Sequence, residues 1–145
     1  MSFKKYIKDL FSKRPAIHNG YPVLAAVSRI HDRGVFAASE FRKGDWIEIA
    51  PFIPVSSEQF SLLKGTSLHY SYFMTGREDF PAVIGLGLAS LYNHGSPAHA
   101  SYNIDMEQQV IRFRATRQIK AGEEITINYN GAPDDQTPVR FNDQP

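Results

Sequence analysis

The 145-residue chain contains no cysteine. That absence removes disulfide frameworks, zinc ribbons and fingers, iron–sulfur clusters and thiol nucleophiles. A charge excess of either sign is also missing, since 16 basic side chains stand against 15 acidic ones for a formal net charge of +1. Such a balance sets up no strong field for a polyanion, so no nucleic-acid partner is expected. Long apolar runs are absent too. The longest, residues 81–92, is too short to cross a bilayer as a helix, and no membrane role is expected. What remains is 42% hydrophobic content, enough for one soluble domain with a true core.

The ends differ in charge. Lys4, Lys5, Lys8, Lys13 and Arg14 crowd the first residues, with Tyr6, Ile7, Leu10 and Phe11 interspersed at helical spacing. The pattern reads as a basic amphipathic segment over residues 1–20, without the continuous apolar core of an export signal. Asp134, Asp135 and Asp143 make residues 132–145 an acidic tail, leaving 21–131 as the folded domain. A reducing cytoplasm, in a bacterial or viral source, is the expected setting.

Turn chemistry at Asn19-Gly20, Gly44, Pro51, Pro54, Gly65, Gly76, Gly95 to Pro97, Gly122 and Gly131 cuts the chain into short pieces. Residues 23–27, 34–38, 46–49, 68–74, 101–105, 109–115 and 124–129 carry the β-branched and aromatic content of half-buried strands. Two pieces read as helical: 56–63, where Ser56 and Gln59 form a capping box, and a stretch around 86–92. The fold class is therefore mostly β with small helices. Gly85-Leu86-Gly87 imitates a dinucleotide fingerprint but reads better as a helix eased against a strand by glycine. An internal echo stands out: Ala37, Phe41, Gly44, Asp45, Ile47 and Ile49 recur, 78 positions on, as Ala115, Ile119, Gly122, Glu123, Ile125 and Ile127. Either chance or a repeated strand-turn-strand unit accounts for it.

Nucleophilic chemistry finds no Gly-x-Ser-x-Gly elbow, and His94 and His99 lack the one-face spacing of a helical metal pair. No metal is expected. Uncharged polar and aromatic groups instead concentrate at residues 91–95 and 125–130, where they continue apolar segments and need hydrogen-bond partners, from backbone or from a ligand.

These residues resemble a known family. Arg33-Gly34-Val35-Phe36-Ala37, the turn Lys43-Gly44-Asp45, Leu91-Tyr92-Asn93-His94 and Gly122-Glu123-Glu124-Ile125-Thr126-Ile127-Asn128-Tyr129 are similar, in order, to the motifs of SET-domain protein lysine methyltransferases. The resemblance implies a SET fold, with β-clip-like short twisted sheets and a C-terminal pseudoknot that brings Asn93 to Tyr129. It implies methyl transfer from S-adenosylmethionine to a lysine amine in a protein or peptide substrate. By resemblance, Arg33, Gly34, Val35, Asn93 and His94 bind the cofactor, Tyr129 is the catalytic tyrosine beside the methyl group, and Tyr72 and Tyr102 line the lysine channel. A tyrosine at position 102 leans towards fewer methylations. Phe141 is a candidate cover for the adenine, in place of the cysteine-rich module that closes the pocket in many relatives. The chain departs from the family pattern at Asp32, Gly95 and Ala98-His99, where glycine, serine and proline-asparagine are usual. A SET-fold binding module without catalysis is the alternative reading, and a homo-oligomer is one way for so small a domain to complete its cleft.

Overall fold

The computed structural model describes residues 17–18 and 20–139. The basic N-terminal segment and Phe141 lie outside the described residues. Among the described residues, nine strands form two antiparallel sheets. The first has the order β1 (Ile17–His18), β2 (Val23–Val27), β3 (Arg33–Ala37) and β9 (Glu124–Ile125). The second runs β5 (Phe73–Met74), β6 (Ala82–Gly85), β4 (Trp46–Val55), β8 (Val110–Ala115) and β7 (Ala100–Asp105). Their inner faces enclose a core built around Ile47, Tyr92, Ile111, Phe113, Ile119 and Ile125. A four-residue helix, α1 (Ser57–Phe60), starts on the expected capping box, with Ser56 and Gln59 each accepting from the other's backbone N–H.

Strand β4 is longer than the sequence suggests, because it continues through Pro51 and Pro54. Its partners explain this: β8 pairs with residues 46–51 and β6 with residues 52–55, so each proline stands at or beyond the end of one ladder, and Pro51 joins the β6 side only through its carbonyl, which accepts the Leu86 N–H at 2.9 Å. The expected strand over 68–74 shrinks to its last two residues. Ahead of it, His69 and Ser71 donate to carbonyls three residues back, at Thr66 and Leu68, and the chain turns instead. Residues 82–85, part of the apolar run over 81–92, form a strand, and the expected helix around 86–92 contracts to one 3₁₀ turn at Ala89–Leu91. A Cβ on Gly85 would meet that of Ala89 at 2.5 Å, so glycine does permit the close approach of turn to strand.

The internal echo is a structural unit. Phe41 and Ile119 exchange both backbone hydrogen bonds, at 2.8 and 2.9 Å. Gly44 donates to Ala115 while Gly122 donates to Ala37, and Ala115 donates to Asp45 while Ala37 donates to Glu123. Both glycines hold the left-handed conformation, φ +92° and +88°. Both acids accept from the backbone N–H three residues earlier, at 2.7 Å. The two copies thus face one another about a local two-fold relation, each closing the other's turn.

The expected strand over 124–129 leaves β3 after two residues, yet its backbone stays paired. Ile127 donates to Asn93, Gly95 donates to Ile127 and Ala100 donates to Thr126, each at 3.0 Å. Beyond it, Ala98 donates to the Pro133 carbonyl and Ser96 Oγ to that of Asp135. The C-terminal segment is thereby pinned against the loop that follows Asn93-His94, and the two polar clusters meet.

Candidate functional site

Tyr129 stands where these segments converge. Its hydroxyl donates to the Tyr92 carbonyl at 2.8 Å, and its backbone N–H donates to His94 Nδ1 at 3.2 Å. The Tyr129 phenol is pushed up to about 12, first by burial and then by the charge of Glu124, so it is a neutral donor across the working pH range. Burial lowers His94, which agrees with an unprotonated Nδ1 accepting from Tyr129.

Beneath Tyr129 the site rests on a buried carboxylate that sequence reasoning passed over. Glu48 is only 1% exposed. Its Oε2 accepts the Tyr92 hydroxyl at 2.8 Å and its Oε1 accepts the Leu88 N–H at 3.0 Å. The Tyr92 ring stacks on Phe113 with centroids 4.4 Å apart. Tyr92 is therefore fixed by ring, hydroxyl and backbone, and through its carbonyl it fixes Tyr129.

On one side of Tyr129 opens a cleft of about 430 Å³, walled by Tyr70, Tyr72, Phe73, Tyr92 and Tyr102, with Val139 reaching it from the tail. Tyr72 packs edge-on against Phe60, and Tyr102 edge-on against Phe73, so both channel candidates are braced rings. Burial raises the Tyr102 phenol, which keeps it neutral. An aromatic wall of this kind is apolar to a methylene chain and attractive to a cation over its ring faces.

Around Asn93, next to Tyr92 in the chain, lies a polar cradle that does not line the cleft. Asn93, 6% exposed, presents its Nδ2 to the carbonyls of His31 at 3.1 Å and Arg33 at 3.0 Å, and to Glu124 Oε1 at 2.9 Å. Gly34 is bare for a reason the sequence did not show: a Cβ there would sit 2.1 Å from Glu124 Oε1. Val35 is wholly buried, while Arg33 is half-buried. Asp32, where the family places glycine, takes φ +38° and its carbonyl accepts from Ser28 N–H. Aspartate tolerates that conformation, so the turn survives the exchange. The departures at Gly95 and His99 compensate each other. Thr126 fills the space over Gly95, and His99 Nδ1 meets Thr126 Oγ1 at 2.8 Å.

Comparison with known proteins matches this geometry to one family. The SET domain model covers residues 32–130. A fission-yeast protein (Schizosaccharomyces pombe), a histone-lysine N-methyltransferase specific for lysine 37 of H3, is 28% identical over 113 residues, or 74% of this chain and 76% of that protein. Among solved structures, a chain from Plasmodium falciparum assigned as a histone methyltransferase superposes with a TM-score of 0.63 at 23% identity, covering 77% of this chain and 95% of its own. A chain of Polycomb Repressive Complex 2 from Chaetomium thermophilum gives a TM-score of 0.65 at 23% identity, over 79% of this chain but 17% of its own length. With the motifs folded around one tyrosine and the domain matched over most of its length, the chain belongs to the SET domain family.

Proposed function

We infer that the protein transfers the methyl group of S-adenosylmethionine to the side-chain amine of a lysine in a protein substrate, with Tyr129 at the reacting centre. The observation that carries the reading is the Tyr129 hydroxyl at the wall of an aromatic cleft, held by the carbonyl of Tyr92, the residue next to Asn93 of the polar cradle.

The residues present fit the cofactor. Asn93 offers an amide oxygen that meets no donor among the described residues, and the backbone around Asp32 to Gly34 is turned so that its carbonyls converge on Asn93. When bound, the cofactor supplies an electrophilic carbon on a positive sulfur. The chemistry it would supply is methyl transfer, in which the lysine nitrogen would gain the carbon as the carbon–sulfur bond yields and the surplus proton would leave to water. The chain's own work is alignment and dryness: orienting two reactants can supply about 7–11 kcal/mol of the barrier in the best intramolecular cases. The aromatic cleft disfavours an ammonium in its interior and so releases the lysine proton before attack, while Tyr129 and backbone carbonyls orient the amine. Tyr72 and Tyr102 line the path of the side chain. The outer edge of β5 has no strand beside it among the described residues, and it borders the cleft through exposed Met74. It offers backbone groups to an extended substrate segment.

Histone H3 peptides are the first substrates to try, given the fission-yeast relative. Incubation with radiolabelled S-adenosylmethionine should label a lysine, and Tyr129→Phe should lower kcat at least about tenfold, the usual scale for removing one orienting group at a reacting centre. Equal labelling by wild type and Tyr129→Phe would remove Tyr129 from the reaction.

A further inference from the structure

The carboxylate of Glu124 lies at the middle of the cradle, and nothing in the sequence motifs assigns it a role. It descends from β9 toward Asn93 and Ser28. Ser28 Oγ lies 2.8 and 2.9 Å from its two oxygens, and that same Oγ accepts the Ile30 N–H at 2.8 Å, so the serine is locked from both sides. No cation stands within ion-pair distance of Glu124 among the described residues. Gly34 has been left without a side chain where Oε1 sits. The chain thus keeps a half-buried negative charge at the cost of a glycine inside a strand.

A carboxylate only accepts hydrogen bonds. Whatever stands 2.9 Å from Oε1 must donate, so Asn93 must turn its NH₂ group to Glu124. The carbonyls of His31 and Arg33 enforce the same orientation. Three acceptors around one amide nitrogen leave Oδ1 on the opposite edge, ready for a donor. We propose that Glu124 is a positioning residue of the cofactor cradle: it locks the Asn93 amide so that Oδ1 accepts from a primary ammonium, that of the cofactor's amino-acid end. The inference rests on the reading of this cradle as the S-adenosylmethionine site. Glutamine at 124 keeps the shape but can turn a donor toward Asn93, so the amide is held by the two carbonyls alone and its lock is weakened.

Calorimetry with two ligands tests this. S-adenosylhomocysteine carries the α-ammonium, and 5′-methylthioadenosine, measured by competition, lacks the whole amino-acid end. Glu124→Gln should weaken the first by about tenfold, the scale of one charge-assisted hydrogen bond, and the second by less than about twofold. On an Asn93→Ala background, Glu124→Gln should add little further loss, because the residue acts through Asn93. An equal loss for both ligands would make Glu124 a merely structural group and overturn the proposal. So would full retention of S-adenosylhomocysteine affinity, or additive losses in the double variant. If Glu124→Gln fails to fold, Ser28→Ala carries the test, since it loosens the carboxylate without removing it. It must show the same selectivity between the ligands, and an unselective or absent effect overturns the proposal. Failure of the wild-type protein to bind S-adenosylhomocysteine would instead overturn the cofactor reading, and this inference with it.

Discussion

Restoring the family's serine after Asn93-His94 should damage this protein. Gly95 lies against Thr126, and a Cβ placed on it would stand 2.4 Å from Thr126 Oγ1, 2.7 Å from its Cβ and 3.0 Å from its Cγ2. The whole threonine side chain is in the way, and a β-branched residue has little rotamer freedom with which to yield. Overpacking of this kind costs roughly 1–3 kcal/mol. The Gly95 backbone lies outside the left-handed region, so a side chain adds no backbone strain there and recovers about 0.4–1 kcal/mol by restricting the unfolded chain. Gly95→Ser should therefore destabilise by about 1–2 kcal/mol net, or roughly 3–6 °C in Tm for a domain of this size. Thr126→Ala alone loses the 2.8 Å contact with His99 Nδ1, at about 1 kcal/mol. The double variant should then be more stable than the sum of the singles by about 1 kcal/mol, because two of the three close atoms are gone. Relief is partial, since the Cβ at 2.7 Å remains. Thermal and denaturant unfolding of the four proteins reads the cycle. A neutral Gly95→Ser, or strict additivity, would refute the claim that Thr126 holds the space the serine would need.

Two further outcomes follow from the buried groups. Tyr92→Phe keeps the stacking on Phe113 but removes the 2.8 Å donor to Glu48, leaving a carboxylate that is 1% exposed short of one partner. Urea unfolding should show a loss of about 1.5–3 kcal/mol, the range for a bond to a charged group, with unchanged m-value. A change under about 0.5 kcal/mol would mean that Glu48 does not depend on Tyr92. Tyr129, pushed up to about 12 from an ordinary value of 10.0, stays protonated in the folded protein where an unfolded tyrosine ionises. Its contribution to stability is whole below about pH 10 and is lost as pH rises through about 12. An ultraviolet difference titration, wild type minus Tyr129→Phe, should show no tyrosinate from this residue by about pH 10.5. A midpoint near 10 would sink the assignment of a raised phenol that stays neutral.

Much of the fold was legible because the determinants are local. Residues 23–27 form a strand as read, since an unbroken apolar run between turns has few other uses. The Ser56–Gln59 capping box and the two glycine turns of the echo are likewise short-range chemistry. What escaped is set by distant partners. Pro51 and Pro54 read as breakers, and only the exchange of β8 for β6 alongside β4 shows how a strand passes through them. Glu48 follows Ile47 in what alternation predicts to be an outward position. An irregularity between Trp46 and Glu48 turns both Ile47 and Glu48 inward, and no local pattern announces it. Glu124 reads as the polar half of an alternating pair, yet its partners are 96 residues away at Ser28 and 31 away at Asn93. Asn93, His94 and Tyr129 were found by motif resemblance, which carries long-range information that periodicity lacks.

The two carboxylates that escaped notice occupy equivalent positions in the logic of the site. Glu48 stands behind Tyr92, whose carbonyl holds the Tyr129 hydroxyl; Glu124 stands behind Asn93. In each case a carboxylate, fully buried at Glu48 and half-buried at Glu124, grips a neutral group on the side of the reactants. The arrangement suits a reaction between a cationic sulfur centre and a neutral amine. A carboxylate placed directly in the aromatic cleft would favour the ammonium form of lysine and suppress attack. Set one residue back, it supplies rigidity without reversing the amine's protonation, since strong acceptors fix their donors in a dry interior better than water does. The bare Gly34 and the bulge at Glu48 are then the same concession made twice: local strand regularity is given up so that a charge can be brought close enough to orient the residue that does the work.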